Sequence, residues 1–319
     1  MASAAPWIDP ELVAMGAWMK ARGLASLSPV NTPLAECRAM LERIGAALNE
    51  SSTPLSHERD LTIAGPHGAI PCRLYLPDNV ERPPLLVYAH GGSFALGSLA
   101  PWDGMLRDLA RQSAVAVLSV DYRLAPEYRF PIACEEMLAV VRHIAREGAS
   151  LGVDAARLAA GGDSAGANLA LGAALALRDA GHSPLSFLLL VYGVYSTDAD
   201  SDSWQRLGTG AYGLARPQVA WILENYLASP AQRDDWRVAP LHAPLHGLPP
   251  VHGVVGTLDP LWDDNHALAQ RLDQAGVRNE LVVYEGGLNH GFIRYGPLIR
   301  TAKRAVSECA AALACALAR

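Results

Sequence analysis

A serine held on a sharp turn between glycines can serve as a nucleophile, and one stretch of this chain has that spacing. Gly162-Asp163-Ser164-Ala165-Gly166 stands between a short strand pattern at 157–160 and an Ala/Leu-rich helix pattern at 165–180. A strand-to-helix turn of this kind crowds the residues two before and two after the serine. Glycine at both positions removes the Cβ atoms that would collide. The following helix aims its unpaired N–H groups and positive dipole end at the oxygen that turns negative during attack. A plain glycine-rich turn is the competing reading, and the flanking strand and helix argue against it.

A serine hydroxyl attacks only when a base takes its proton, and that base needs a partner that fixes its tautomer. Ten histidines compete for the role. His290 stands apart because it lies in Gly286-Gly287-Leu288-Asn289-His290-Gly291, directly after a strand pattern at 281–284. Loops of this kind present side chains at the carboxyl edge of a sheet, where open α/β folds bind ligands. Asp259 has the same placement, after a strand pattern at 251–256 and before Pro260. Asp263 and Asp264 are rivals, but they fall where a helix takes its cap and first-turn acids. The order Ser164, Asp259, His290 is the order of α/β-hydrolase triads. A further loop, His90-Gly91-Gly92-Ser93-Phe94, follows a strand at 85–89, and its glycine pair lets backbone N–H groups approach a ligand. With no metal-ligating partner at suitable spacing, His90 reads as a structural prop for that loop.

These loops need a scaffold. From residue 60 onward, β-rich segments at 61–64, 70–76 and 85–89 give way to strands alternating with helical patterns. That rhythm predicts a mostly parallel sheet with helices on both faces. Residues 196–248 break it: no strand candidate occurs there, but Trp204, Trp221, Trp236 and a helix pattern at 217–227 do. So long a stretch inside an α/β domain reads as a folded insertion, here a lid. Its tryptophans are expected mainly in the lid's own core, and Trp262, beside the acid block, is the better candidate for lining a substrate pocket. Residues 121–127 read as a structural segment whose charges pair with one another. His242 and His246 lie four apart, but Pro244 between them argues against a helical metal pair.

Half of the 319 residues are apolar, enough for a large core, and the net charge of −6 is spread without a basic stripe. Nucleic acid and anionic membrane are therefore not expected partners. The longest strongly apolar run, 185–195, is too short to span a bilayer. Five scattered cysteines fit buried thiols in a reducing compartment. The first basic residue, Lys20, comes after Asp9 and Glu11, the wrong order for a secretory signal, so the expectation is a cytoplasmic protein. Oligomeric state is open.

The blocks around these residues resemble the hormone-sensitive-lipase family of esterases, the bacterial family IV enzymes, and within it the acetyl esterase branch. The matching stretches are His90-Gly91-Gly92-Ser93-Phe94, Asp121-Tyr122-Arg123-Leu124-Ala125-Pro126-Glu127, Gly162-Asp163-Ser164-Ala165-Gly166, Asp259-Pro260-Leu261-Trp262-Asp263 and His290-Gly291-Phe292, in family order. The resemblance implies an α/β-hydrolase core at 56–195 and 249–319 under a cap formed by 1–55 and 196–248. It implies short-chain acyl esters as small-molecule substrates, no cofactor and no metal. It also implies an oxyanion hole from the backbone N–H groups of Gly92, Ser93 and Ala165. The family usually has a third glycine where this chain has Ser93; at positive φ a serine there would cost roughly 1 kcal/mol or more. The reading is a serine carboxylester hydrolase. An amidase or peptidase with the same triad is one alternative. A non-catalytic binding protein of the same fold is another, disfavoured because such proteins tend to lose a triad member.

Overall fold

The computed structural model describes residues 7–25 and 27–318. The expected segment 1–55 therefore begins outside the described residues. Eight strands form one sheet: β1 (His57–Gly65), β2 (Gly68–Leu76), β3 (Pro84–Ala89), β4 (Ala116–Val120), β5 (Asp154–Asp163), β6 (Leu185–Val191), β7 (Val251–Leu258) and β8 (Asn279–Asn289). Their order across the sheet is β1-β2-β4-β3-β5-β6-β7-β8. Only β1–β2 and β2–β4 pair antiparallel; every pair from β4 onward is parallel.

Strand alternation sorts the apolar residues into two cores, one per face. On β3, Leu85, Val87 and Ala89 enter the core under helices α4 (Ile132–Glu147), α5 (Ala165–Asp179) and α8 (Trp262–Gln274). Leu86 and Tyr88 point the other way, into a core shared with α1 (Pro10–Ala21), α2 (Leu34–Asn49), α3 (Asp103–Ser113) and α9 (Arg300–Ala316). Both faces are covered, so β3 and β4 are buried at every position.

Two elements go beyond the sequence expectations. Helix α3 is an added element: it buries Leu106, Leu109 and Ala110 on one stripe while Arg107, Asp108 and Arg111 face outward in ion pairs. Strand β8 runs on to Asn289 because Gly286 and Gly287, at φ +115° and +65°, let the chain bend without leaving the edge of β7. Residues 196–248 contribute α6 (Asp202–Leu207) and α7 (Arg216–Tyr226), but only an isolated Thr209–Ala215 bridge in place of a strand.

Candidate active site

Because β5, β7 and β8 run parallel, their carboxyl ends open on one edge of the sheet, and that edge gathers the candidate residues. Ser164 follows β5 and caps α5 with φ +54° and ψ −117°, a conformation side chains rarely adopt. Its N–H donates to the Val191 carbonyl at 2.9 Å. The steric reading of the flanking glycines holds, with an added contact. A Cβ on Gly166 would lie 1.9 Å from the Ala89 carbonyl oxygen, and one on Gly162 would lie 2.4 Å from the Gly166 backbone. The elbow is thus pressed against the end of β3 as well as against itself.

His290 Nδ1 lies 2.8 and 3.1 Å from the two oxygens of Asp259, and its Nε2 lies 2.9 Å from Ser164 Oγ. With its Nδ1–H donated to Asp259, the neutral ring keeps its lone pair at Nε2, facing the serine hydroxyl. Asp259 is fully buried, and the Leu261 N–H also donates to its Oδ1 at 2.9 Å. The rival acids have other tasks. Asp263 accepts from the Ser203 N–H, and Asp264 accepts from the N–H groups of Tyr195 and Ser196. Burial pushes the Asp264 carboxyl up to about 7.

The loop after β3 makes a tight turn in which the N–H groups of Ala95 and Leu96 both donate to the Gly92 carbonyl. Gly92, Ser93 and Phe94 all have positive φ, at +123°, +57° and +59°. Among the described residues the N–H groups of Gly92, Ser93 and Ala165 have no protein acceptor. His90 is fully buried, its Nδ1–H donating to the Gly91 carbonyl, and burial lowers its pKa to about 4. Its ring stacks on Tyr122 and meets Trp102 at a tilt, with the Arg294 guanidinium 4.5 Å from the centre of the Trp102 ring.

Asp163 is a residue the sequence reading passed over. One of its oxygens accepts from the Gly91 N–H, the Tyr88 hydroxyl and the Trp102 indole N–H, at 2.8–2.9 Å. A single carboxylate thus ties the elbow to the glycine loop; burial pushes its pKa up, and the nearby Arg294 charge works against that. Arg38 of α2 was passed over too. It donates to the Ala95 and Ala125 carbonyls and forms a bidentate pair with Glu127. The segment 121–127 is structural, but its charges do not pair with one another: Glu127 pairs with Arg38, and Arg123 pairs with Glu136 of α4.

Beside Ser164 lies a cavity of about 50 Å³, walled by Phe94, Trp204, Leu214, Val219, Ile222 and Leu223 among others. Trp262 is not part of that wall, which corrects the expectation for it. As the first residue of α8 its ring stacks on His266, one turn on, with centroids 4.1 Å apart, and packs against the α9-side core. Trp204 lines the cavity instead, while Trp236 packs at the margin of the other core. His242 ends a short 3-10 turn and His246 lies in the loop beyond it, so they share no helix.

Residues 86–294 match the family model described as the alpha/beta hydrolase fold. The chain belongs to this family, on its hormone-sensitive-lipase branch. An ethyl acetate hydrolase of Pseudomonas putida is 33% identical over 306 residues, covering 92% of this chain and 95% of that protein. A carboxylesterase of Mycobacterium tuberculosis, NlhH, is 36% identical over 78% of this chain and 79% of its own length. Among solved structures, an esterase of Pyrobaculum calidifontis superposes with a TM-score of 0.90 at 33% identity, covering 97% of this chain and 98% of that one. The thermophilic metagenomic carboxylesterase EstE1 gives 0.88 at 33% identity, over 92% of this chain and all of its own. Like these relatives, the chain is a carboxylester hydrolase, and the amidase and receptor alternatives gain no support.

Proposed function

We propose that this hydrolase cleaves short-chain carboxylic esters through an acyl-enzyme on Ser164, with His290 as general base and Asp259 orienting it. The observation that carries this is the unbroken hydrogen-bond chain from Asp259 through the His290 ring to Ser164 Oγ. His290 takes the hydroxyl proton as Ser164 attacks, then returns it to the leaving alcohol; water repeats the cycle on the acyl-enzyme. The N–H groups of Gly92, Ser93 and Ala165 receive the oxyanion, each such donor being worth about 10²–10³ in rate. No step needs a cofactor or metal.

The small, mainly apolar cavity supports a short acyl group, as does the name of the Pseudomonas relative. We read residues 1–55 and 196–248 as the cap over a core at 56–195 and 249–319; α7 walls the cavity and α2 reaches the glycine loop through Arg38. Among the described residues no helix is long and apolar enough to cross a membrane, and four of the five free cysteines are buried, which supports a reducing, cytoplasmic setting.

The test is an aryl-ester series graded by acyl length, run on the natural chain and on Ser164→Ala. Turnover should be highest for acetate to butyrate and fall steeply toward decanoate. The folded alanine variant should sit at background. One-tenth of normal activity in that variant would remove Ser164 from its role, and a flat length profile would remove the short-chain assignment.

A further inference from the structure

We infer that the loop 209–215 of the insertion positions His290, so that one wall of the acyl cavity and the alignment of the base form a single mechanical unit. The inference rests on the reading of His290 as base. It starts from what holds the backbone of that residue. The strand β8 ends at Asn289, paired with Leu258, and Gly291 follows His290 at positive φ. The ring is tied to Asp259, but the His290 backbone has one hydrogen bond among the described residues: its N–H donates to the Tyr212 carbonyl at 3.1 Å. That acceptor belongs to the insertion, far away in sequence.

The next residue closes the contact. Gly213 has φ +94°, and a Cβ there would come 2.8 Å from the His290 carbonyl oxygen and 3.1 Å from His290 Cβ. Both neighbours lie at the root of the residue, so no side-chain rotation relieves the clash. The loop is itself internally braced. Gly210 N–H donates to the Leu214 carbonyl at 3.0 Å, and Arg216 N–H to the Gly208 carbonyl at 2.9 Å. Leu214 then faces the cavity, continuing into Gln218, Val219, Ile222 and Leu223 of α7. An acyl group that displaces this wall therefore pulls on the backbone of His290. Since misplacing a catalytic group by about 1 Å costs about 10²-fold, acyl-length discrimination should appear in kcat as well as in KM.

A glycine outside the insertion provides the control. Gly181, in the turn after α5, has φ +80° with nothing within 4 Å of where a Cβ would stand, so alanine there adds backbone strain without a clash. Gly213→Ala should lower kcat on p-nitrophenyl acetate at least tenfold with KM within threefold. Gly181→Ala should keep both within threefold. Gly213→Asn serves as a second variant: asparagine tolerates the left-handed region, so this form keeps the clash with less backbone strain. Normal kcat in both Gly213 variants would overturn the inference, as would an equal fall in Gly181→Ala. Failure of the base reading shows separately, as activity that survives His290→Gln.

Discussion

Ser164 and Ser93 both hold backbone angles that favour glycine, at φ +54° and +57°, but their surroundings hold them by different means. At the elbow the constraint is steric. Gly162, Gly166 and the end of β3 press together so closely that no side chain fits at either glycine. In the loop after β3, Gly92 is locked sterically too, since a Cβ there would lie 2.1 Å from the Leu96 carbonyl oxygen. Around Ser93, however, the constraint is polar and comes from elsewhere: Asp163 holds the Gly91 N–H, Arg38 the Ala95 carbonyl, and the Tyr122 hydroxyl the His90 carbonyl. Phe94 adds a stack on Tyr226 with centroids 3.9 Å apart. A steric lock dictates residue type at its own position. A set of distant anchors does not, and this explains how the loop carries a serine at a position where glycine is usual.

Substitutions that attack each lock separate the two. The largest effect belongs to the elbow: Gly166→Ala should abolish hydrolysis and cost more than ~3 kcal/mol, because both clashing partners are backbone. Chemical denaturation and turnover measure this directly, and a stable, active alanine variant would break the steric half of the comparison. Next comes the polar lock. Asp163→Ala leaves four buried donors without an acceptor, the Tyr192 hydroxyl on the second oxygen included, which should cost about 3 kcal/mol and lower kcat ~100-fold. Asp163→Asn keeps the oxygen that three of those donors share and should recover most of both losses. Equal damage from the two variants would mean that charge, not the clamp, matters. The smallest effect is at Ser93. Since φ is positive there, Ser93→Gly should stabilise the fold by up to ~1 kcal/mol and keep turnover within tenfold. A hundredfold loss at unchanged melting temperature would assign the hydroxyl a part in the chemistry.

The same contrast explains what was legible in the sequence. Ser164, Asp259 and His290 each follow a strand with its own local pattern, and the parallel sheet brings those strand ends together. The α/β-hydrolase fold could be read from strand and helix rhythm, since both faces of β3 and β4 are buried and, Ser119 apart, built of apolar residues and one tyrosine. Asp163 was hidden in plain view: its neighbours in sequence say nothing of Gly91, Tyr88 or Trp102, which lie 61 to 75 residues away. Arg38 and Tyr212 were illegible for the same reason. Trp262 was misplaced because nearness to Asp259 in sequence says little about direction. Its ring stacks on His266, one turn along the same helix.

The strand order has a consequence for how hydrolysis is gained and lost. Ser164 and His290 are 126 residues apart, and β8, which ends one residue before His290, is the last strand in sequence and one edge of the sheet. Contacts so distant in sequence form late, after loop-closure entropy has been overcome. During refolding, helical signal should therefore return before hydrolysis does. Under mild denaturant the order reverses: an edge strand paired on one side can open locally while the central strands stay closed. Hydrolysis then disappears while most of the core is still folded, so loss of activity reports the detachment of β8 rather than global unfolding.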